Sequence, residues 1–405
     1  MKNGSWPAIV TIYAFGVAGA AATSKIIPLK DLFHQVQGGE GLFTLMLALV
    51  GLPAAILAVA SGVYSDRYGP RLCLLVSAMA GLVGNVICAV AGTAAPLIAG
   101  RLIEGLALIG IFTSAPSLLM STTEGPRRTL AMTLWSTYSP VGVSLGFAMG
   151  AISAARGSLH LAFALQAAAF LLIGLVGLAL REAPRMAVQA PVTVAGQLRA
   201  LAQAYRQPRV VQLAIGFFLL ISMAFGVSVI LPGYFIRVHQ MTPAGAAGLI
   251  GGTNLTMIAG SFATGLLLNR GIAARQLFAA YGALAILMAV TIFLPSTPAM
   301  MLWPALCAWA FAFGGSLAAL LATLPLVADP SQRAAAGLFS QGSAIATLVN
   351  PPLWLGLAAL LLWYPLVVAV AIGWLCALLL VRRATRPMEA VSGARPPATA
   401  MPPVH

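Results

Sequence analysis

Long apolar segments recur along almost the whole chain, and they restrict its fold more than any other feature of the sequence. Of the 405 residues, 60% are hydrophobic and only 7% are charged, whereas a typical soluble domain has about 25% charged residues. A soluble protein cannot cover its surface with so few charges. The sequence therefore predicts a membrane protein and excludes a soluble globular enzyme.

Charged residues and Pro or Gly breaks divide the chain into twelve apolar segments, each close to the roughly 20 residues that cross a bilayer as a helix. Within lipid, every backbone amide must find a hydrogen-bond partner in its own segment, so these segments are expected to be helices rather than strands. We therefore predict an all-α membrane protein with twelve transmembrane helices. The predicted spans are residues 6–24, 41–63, 72–92, 96–119, 129–154, 159–180, 210–231, 244–268, 276–294, 299–322, 335–357 and 361–381.

The basic residues predict how these spans are oriented. If the N-terminus is cytoplasmic and the spans alternate, only Lys25, Lys30, Arg156 and Arg237 of the 22 Lys and Arg residues fall in connections on the far side. This asymmetry follows the positive-inside rule. We expect a multi-pass protein of the bacterial inner membrane with both termini in the cytoplasm. The net charge of +14 then reflects basic loops at the lipid headgroups and no nucleic-acid partner.

A polar stretch near the middle of the chain predicts a division into two halves. Leu198, Leu201 and Tyr205 recur in it at helical spacing, which indicates a short helix on the inner membrane face, with a plain solvated linker as the alternative. The predicted units are an N-terminal six-helix bundle (1–180), a central cytoplasmic loop (181–209), a C-terminal six-helix bundle (210–383) and a disordered cytoplasmic tail (384–405).

An internal repeat supports this division. The stretch Gly62–Arg71 follows the second span, and the shorter, similar stretch Gly265–Gly271 follows the eighth; Gly62 and Gly265 are 203 residues apart, about half the chain. Six helices repeated in parallel are typical of transporters whose substrate site lies between the halves near the membrane midplane. The two bundles are therefore expected to be pseudo-symmetric.

The first copy of the repeat resembles the signature loop between the second and third spans of the major facilitator superfamily. Pro70 stands where the family usually has Arg, and Asn269 of the second copy stands where Asp is usual. The resemblance implies the twelve-helix fold of that family and a conformational latch between the halves. The alternative is a basic loop that only sets topology. The residues that carry the resemblance are Gly62, Asp66, Arg67, Gly69 and Arg71.

Two ionisable residues lie clearly within a span, Arg101 and Glu104 in the fourth. At a spacing of i, i+3 they share one helix face and can pair. Because a charge near the bilayer centre costs about 2.5–3.5 kcal/mol or more, charges kept there are functional candidates. The segment also resembles the fourth-span motif of the superfamily, which implies a role in proton coupling. The alternative is a static pair that neutralises itself.

The substrate cavity is expected to use the few polar residues of the spans. Lys25, which ends the first span, either faces the cavity and attracts an anionic group or extends to the outer interface. The other candidates are equally able to form hydrogen bonds between helices. The full set of cavity candidates is Lys25, Tyr13, Asn85, Tyr138, Asn254 and Gln341.

The fifth span carries a motif built on proline and glycine. Gly142, Gly146 and Gly150 are spaced at i, i+4 and i+8, which gives a smooth face for tight helix packing, and Pro140 removes one helical hydrogen bond. The span partly resembles the fifth-span motif of superfamily antiporters, although Ser139 stands where the family has Gly. This resemblance favours export.

The remaining motifs exclude several functions. The only lysines are Lys2, Lys25 and Lys30, and none lies in the phosphate-binding loop of an ATP-driven pump. No pair of cysteines has metal-ligand spacing, and the single acid within the spans, Glu104, does not supply the paired acids or His clusters that a membrane-embedded enzyme needs. We therefore expect no metal, no cofactor and no enzymatic activity. We predict a monomeric secondary transporter, coupled to protons, that exports a small organic solute of the drug, metabolite or siderophore type. The alternatives are proton-coupled uptake of a small anion such as cyanate or nitrate, and a membrane scaffold that transports nothing.

Overall fold

The computed structural model describes residues 1–36, 38–181, 193–327 and 333–392, and all regular secondary structure in these residues is helical. The first half contains eight α-helices and a 3-10 helix. They are α1 (Trp6–Ser24), the 3-10 helix (Ile27–Gln35), α2 (Gly39–Leu49), α3 (Leu52–Tyr68), α4 (Pro70–Ala89), α5 (Ala94–Thr122), α6 (Gly125–Trp135), α7 (Tyr138–Ala155) and α8 (Leu159–Gly177).

The second half follows a short connecting helix, α9 (Val194–Tyr205). Several helices of the chain begin at a proline, whose fixed φ suits the first turn and whose missing N–H would have no partner there. The helices of the second half are α10 (Pro208–His239), α11 (Pro243–Asn254), α12 (Thr256–Asn269), α13 (Ala274–Phe293), α14 (Ala299–Val327), α15 (Arg333–Ala358) and α16 (Tyr364–Ser392).

These helices agree with the twelve predicted spans. Among the described residues, ten helical segments are long and apolar enough to cross a membrane. The pairs α2–α3 and α6–α7 each form one interrupted span. The broken pair α11–α12 and the more polar α15 occupy the two remaining predicted spans, 244–268 and 335–357.

The final helices begin and end at different residues from those predicted. No polar residue separates Leu355 from Leu362, and the chain turns between α15 and α16 at Leu361, which has a φ of 56°. The sequence placed the end of the second bundle at 383 and disorder from 384, but α16 continues to Ser392. The local sequence explains this difference only in part, because Arg, Ala, Met and Glu beyond the last apolar turn are good helix formers, whereas Pro387 in the same stretch is not. Residues 393–405 of the predicted tail lie outside the described residues.

The central loop is described only in part. Residues 182–192 lie outside the described residues, and α9 occupies the stretch that carries the helical periodicity. At its end, the Tyr205 hydroxyl donates to the Gln341 side chain of α15 at 3.0 Å. This connecting helix also packs against α3, so it contacts both halves.

The internal repeat is visible in the helix breaks. The second span is interrupted between Leu49 and Leu52, and the eighth is interrupted between Asn254 and Thr256, close to the 203-residue offset seen in the sequence. A third break separates α6 from α7. Interrupted helices of this kind are typical of transporter binding sites, where a broken backbone faces the cavity.

The two halves pack against each other mainly at one end. We call the end where α1 terminates the outer end, and the opposite end the inner end. At the outer end, α7 packs against α11, and the 3-10 helix packs against α10 and α11. Along the second span, α2 and α3 lie against α15. One hydrophobic cluster joins Phe33 and Phe43 of the first half with Phe235 and Ala247 of the second. The molecule is therefore closed at its outer end.

The glycines of the fifth span allow α7 to approach α1 closely. A Cβ atom added to Gly146 would lie 2.5 Å from the Ala21 carbonyl oxygen, and one added to Gly150 would lie 2.6 Å from the Lys25 carbonyl oxygen. Gly142 meets α1 in the same way at Val17 and Ala20. Pro140 lies in the first turn of α7, where its missing N–H costs the helix little.

Candidate functional site

A cavity of about 420 Å³ lies between the two halves. The first half contributes α1, the α2–α3 break, α5 and α7, and the second half contributes α10, the α11–α12 break, α14 and α15. Cavities of about 300–1,000 Å³ hold small organic molecules. The position and size of the cavity therefore fit a small-molecule site shared by both halves.

The cavity wall is mostly aromatic and aliphatic. No charged side chain lines it within the part of the chain that the structure describes. Its polar groups are hydroxyls and one amide, and the hydroxyls of Thr113, Ser228 and Thr347 donate to carbonyls in their own helices. Such hydroxyls present acceptor oxygens to a ligand. The aromatic residues of the wall are Phe112, Tyr138, Phe147, Phe217, Phe225 and Phe313.

Two of the six predicted cavity residues, Tyr138 and Asn254, line this cavity. The Asn254 Nδ2 donates to the Pro140 carbonyl oxygen at 3.0 Å, which links the broken eighth span to the fifth. Tyr13 and Gln341 do not line the cavity. The Tyr13 hydroxyl bonds to Thr137 Oγ1 at 3.0 Å, and Gln341 accepts the hydrogen bond from Tyr205.

The other two predicted cavity residues, Lys25 and Asn85, lie in a buried cluster with Arg101 and Glu104. Lys25 and Arg101 are 0% exposed and Glu104 is 1% exposed. Lys25 Nζ forms an ion pair with Glu104 Oε1, and Arg101 Nη1 forms one with Glu104 Oε2. Lys25 therefore neither faces the cavity nor extends to the outer interface. It is a partner of the fourth-span carboxylate.

Asn85 completes the cluster from α4. Lys25 Nζ donates to Asn85 Oδ1 at 2.6 Å, while Asn85 Nδ2 donates to Glu104 Oε1 and to the Gly81 carbonyl oxygen, both at 2.8 Å. The Phe163 ring centroid lies 5.0 Å from Lys25 Nζ, within cation–π range. The fold thus brings α1, α4, α5 and α8 together around one carboxylate.

Arg101 also connects the cluster to the first two spans. Its Nε donates to the Met46 carbonyl oxygen at 3.0 Å, and its Nη1 donates to the Ala22 carbonyl oxygen at 3.1 Å. Among the described residues, its Nη2 has no hydrogen-bond partner. The guanidinium of Arg101 thus forms charge-assisted hydrogen bonds with one backbone carbonyl near the end of α1 and one in α2. These hydrogen bonds fix both helices relative to α5.

The predicted latch residues lie at the inner end, at the junction of α3 and α4. Gly69 adopts a φ of 93° there, which favours glycine. Arg71 donates to the carbonyl oxygens of Leu180 at 2.6 Å and Leu178 at 3.0 Å, both just after α8 of the same half. The Arg67 guanidinium lies 5.4 Å from the Tyr68 ring. The side chain of Asp66 and the surroundings of Gly62 lie outside the described part of the structure.

The sequence analysis missed the aromatic residues of the cavity. Phe112, Phe217, Phe225 and Phe313 lie in mostly apolar runs, in which polar residues are isolated. A few isolated polar residues do not define a continuous polar face from which the direction of each aromatic side chain can be read. It also missed the contact between Lys25 and Glu104, which are 79 residues apart.

Two six-helix halves around a shared cavity define a class of protein, the secondary transporters with parallel repeats. The family model of the Major Facilitator Superfamily matches residues 9–351. The chain belongs to this superfamily, and it is a transporter of the alternating-access type. A comparison with curated protein sequences finds no match.

Two solved structures support the fold. A bacterial homolog of the human lysosomal transporter Spinster, in an inward-facing and unoccupied conformation, has a TM-score of 0.75 and 17% identity, and the match covers 96% of this chain and 98% of that one. A point mutant of the nucleoside transporter NupG has a TM-score of 0.73 and 13% identity, with 94% of this chain and 99% of that one covered. At these identities the likeness extends to the fold alone.

Proposed function

We propose that this transporter exports an apolar organic compound in exchange for protons. The observation that supports the proposal most directly is the wall of the central cavity, which is aromatic and, in the described residues, free of charged side chains. A drug-sized or metabolite-sized molecule with extended apolar surface suits such a wall, because burial of that surface and ring stacking supply the affinity. Its polar groups would be donors that face the acceptor hydroxyls of the cavity.

Uptake of a small anion such as cyanate or nitrate has less support. A small anion has almost no apolar surface, so a site for it needs basic side chains or several N–H donors directed at it. The two basic residues nearest the middle of the first half, Lys25 and Arg101, are fully buried and paired with Glu104. They belong to the cluster and not to the cavity wall.

Proton coupling is proposed for the buried cluster. Charged residues inside a membrane-spanning bundle are costly and typically mark proton relays or ion pathways. Arg101 and Glu104 lie on α5, four of whose residues line the cavity: Leu108, Ile109, Phe112 and Thr113. A change of charge at the cluster can therefore bias the position of a cavity helix.

Export is the favoured direction, from the partial resemblance of the Pro140 motif to the fifth span of superfamily antiporters. The proposed setting is the inner membrane of a bacterium, with both termini and the inner end in the cytoplasm, as the basic residues indicate. In that orientation the closed outer end faces the periplasm. The signature-loop residues at the inner end would latch the halves in the opposite conformation. We propose a monomer as the transporting unit.

Transport into inverted membrane vesicles under an imposed pH gradient tests this function. The interior is made acidic, and the uptake of a lipophilic fluorescent dye is followed over time. Export in exchange for protons predicts dye accumulation that collapses when a protonophore is added. Vesicles that never accumulate any of a panel of apolar compounds, or that accumulate small anions instead, would reject the proposal.

A further inference from the structure

The Glu104 carboxylate accepts each hydrogen bond that it forms within the described residues. Oε1 accepts from Lys25 Nζ and from Asn85 Nδ2, and Oε2 accepts from Arg101 Nη1. A protonated carboxyl group would have to donate a hydrogen bond of its own. The surroundings thus fit a carboxylate and do not fit a carboxylic acid.

Asn85 cannot supply the missing acceptor by turning its amide around. Its Nδ2 donates at once to Glu104 and to the Gly81 carbonyl oxygen. A flipped amide would place its oxygen against that carbonyl and its N–H groups against Lys25, so both contacts would be lost. The amide orientation is therefore set by two neighbours, and its oxygen faces Lys25.

The cluster also carries one positive charge too many. Lys25 and Arg101 are cations, Glu104 is the one acid that they contact within the described chain, and all three are buried. Arg101 does not lose a proton in proteins. Lys25 can, because a neutral amine keeps two N–H groups for Asn85 and Glu104 and leaves the cluster with no net charge.

A neutral Lys25 would also offer the cluster a hydrogen-bond acceptor. An ammonium group only donates, whereas an amine has a free electron pair. Its two N–H groups serve the same two acceptors that Lys25 Nζ contacts, Asn85 Oδ1 and Glu104 Oε1. The deprotonated state is thus at least as well satisfied as the protonated one.

Within the described residues, the groups whose charges act directly on Lys25 lie on two helices. Glu104 and Arg101 lie on α5, and Cys88 lies on α4. The α8 helix presents the Phe163 ring, and His160 of α8 approaches the Cys88 carbonyl oxygen at 3.4 Å. In the outer connection, Lys30 is paired with Glu40 at 2.9 Å.

We propose that Lys25 carries the coupled proton and that Glu104 stays ionised throughout the transport cycle as its fixed counter-ion. This inference rests on the proposed proton coupling and names the group that performs it. One N–H bond of the ammonium breaks, the electron pair stays on Nζ, and the proton passes to water on the inner side while the cavity is open there. When the outer ends separate, the Nζ electron pair takes up a proton from water on the outer side, and no oxidation or reduction occurs.

The position of Lys25 links the proton to the cavity. It directly follows Ser24, whose side chain lines the cavity and donates to the Val143 carbonyl oxygen of α7 at 3.0 Å. Gly150 of α7 packs against the Lys25 backbone. A change in the charge of Lys25 therefore acts where α1 and α7, two helices of the cavity wall, meet.

The variant Lys25→Arg tests the proposal in proteoliposomes. Arginine keeps the charge and the donors but cannot release a proton, so proton-driven accumulation should fall at least tenfold, and the solute exchange that remains without a gradient shows that the variant is folded. The exchange rate should also lose its pH dependence. Full accumulation by Lys25→Arg would overturn the proposal.

Infrared difference spectroscopy of the purified wild-type protein gives an answer even if Lys25→Arg does not fold. Spectra recorded across the working pH range should contain no carboxylic-acid C=O band that disappears in Glu104→Gln. Such a band would show that Glu104 takes the proton and would overturn the proposal. A wild-type protein with no proton-driven transport would instead reject the proposed function, and the infrared result would still decide which residue binds the proton.

Discussion

The buried charges of the first half form a cluster that is separate from the cavity wall. Lys25, Arg101 and Glu104 contact one another, while the cavity is lined by aromatic, aliphatic and hydroxyl side chains. Different residues are therefore expected to bind the proton and the solute. Substitutions in one set can change coupling and leave solute affinity intact, and substitutions in the other set can do the reverse.

Replacement of Glu104 by Gln should abolish proton-driven accumulation and leave solute exchange. The change removes the negative charge that Lys25 and Arg101 share, so Lys25 would stay neutral throughout the cycle. Accumulation and counterflow in proteoliposomes measure the two activities. Glu40→Gln, at an acid that is 60% exposed in the outer connection, is the control and should behave as wild type. A Glu104→Gln protein that still concentrates solute would contradict a role in coupling.

Replacement of Phe225 by Ala should weaken solute binding. Phe225 lines the cavity, and loss of one aromatic contact of about 0.5–1.5 kcal/mol corresponds to a rise in KM of roughly two- to twelvefold. Phe262→Ala is a matched control, because Phe262 is 50% exposed on the surface of α12 and does not line the cavity. Equal KM values for the two variants would argue that the solute binds elsewhere.

At the scale of helices, interruptions and close approaches decide how the cavity is built. The breaks in α2–α3, α6–α7 and α11–α12 all reach the cavity, through Val50, Tyr138 and Asn254. The contact of α7 with α1 depends on three small residues in register. These elements bring the backbone itself close to the site.

Replacement of Gly146 by Ala should destabilise the protein by about 1–3 kcal/mol, because the added methyl group would overlap α1. Thermal unfolding in detergent measures this as a lower Tm. Gly265→Ala is the control, since a Cβ at Gly265 meets nothing within 4 Å and alanine favours the helix by up to about 1 kcal/mol. A Tm for Gly146→Ala at or above that of Gly265→Ala would show that α1 and α7 are not held this closely.

At the scale of the whole molecule, alternating access requires the closed outer end to open. Phe147 of α7 and Gly251 of α11 face each other across the two halves, and a Cβ on Gly251 would lie 2.9 Å from that of Phe147. A small displacement brings this pair into the usual range of a disulfide, about 3.5–4.5 Å. The pair can therefore report on opening.

The double variant Phe147→Cys, Gly251→Cys should lose transport at least tenfold on oxidation and regain it on reduction. It is made in a background without the native cysteines, Cys73, Cys88, Cys307 and Cys376. Each single variant should be insensitive to oxidant. Fully cross-linked protein that transports at the rate of the reduced form would mean that the outer ends need not separate.

The candidate site was predictable where its residues are close in sequence. Arg101 and Glu104 are three positions apart, and the periodicity of one helix suffices to place them together. Tyr138 and Asn254 were proposed for the cavity and line it, but Tyr13 and Gln341 were proposed on the same grounds and do not. A polar residue in a span forms hydrogen bonds whether or not it lines the cavity. The sequence does not say whether its partner is a solute or a neighbouring helix.

The sequence by itself determined that the chain spans a membrane, how many membrane spans it forms and where it repeats, because these properties depend on local hydrophobicity and on the cost of unpaired amides in lipid. Only the tertiary structure decided which face of each helix is turned inward. In an all-apolar helix no face is distinguished until its neighbours are in place. The rotation of each helix about its own axis, which its neighbours set, brought Lys25 to Glu104. It also assembled an aromatic cavity from residues that the sequence does not distinguish from the rest of the core.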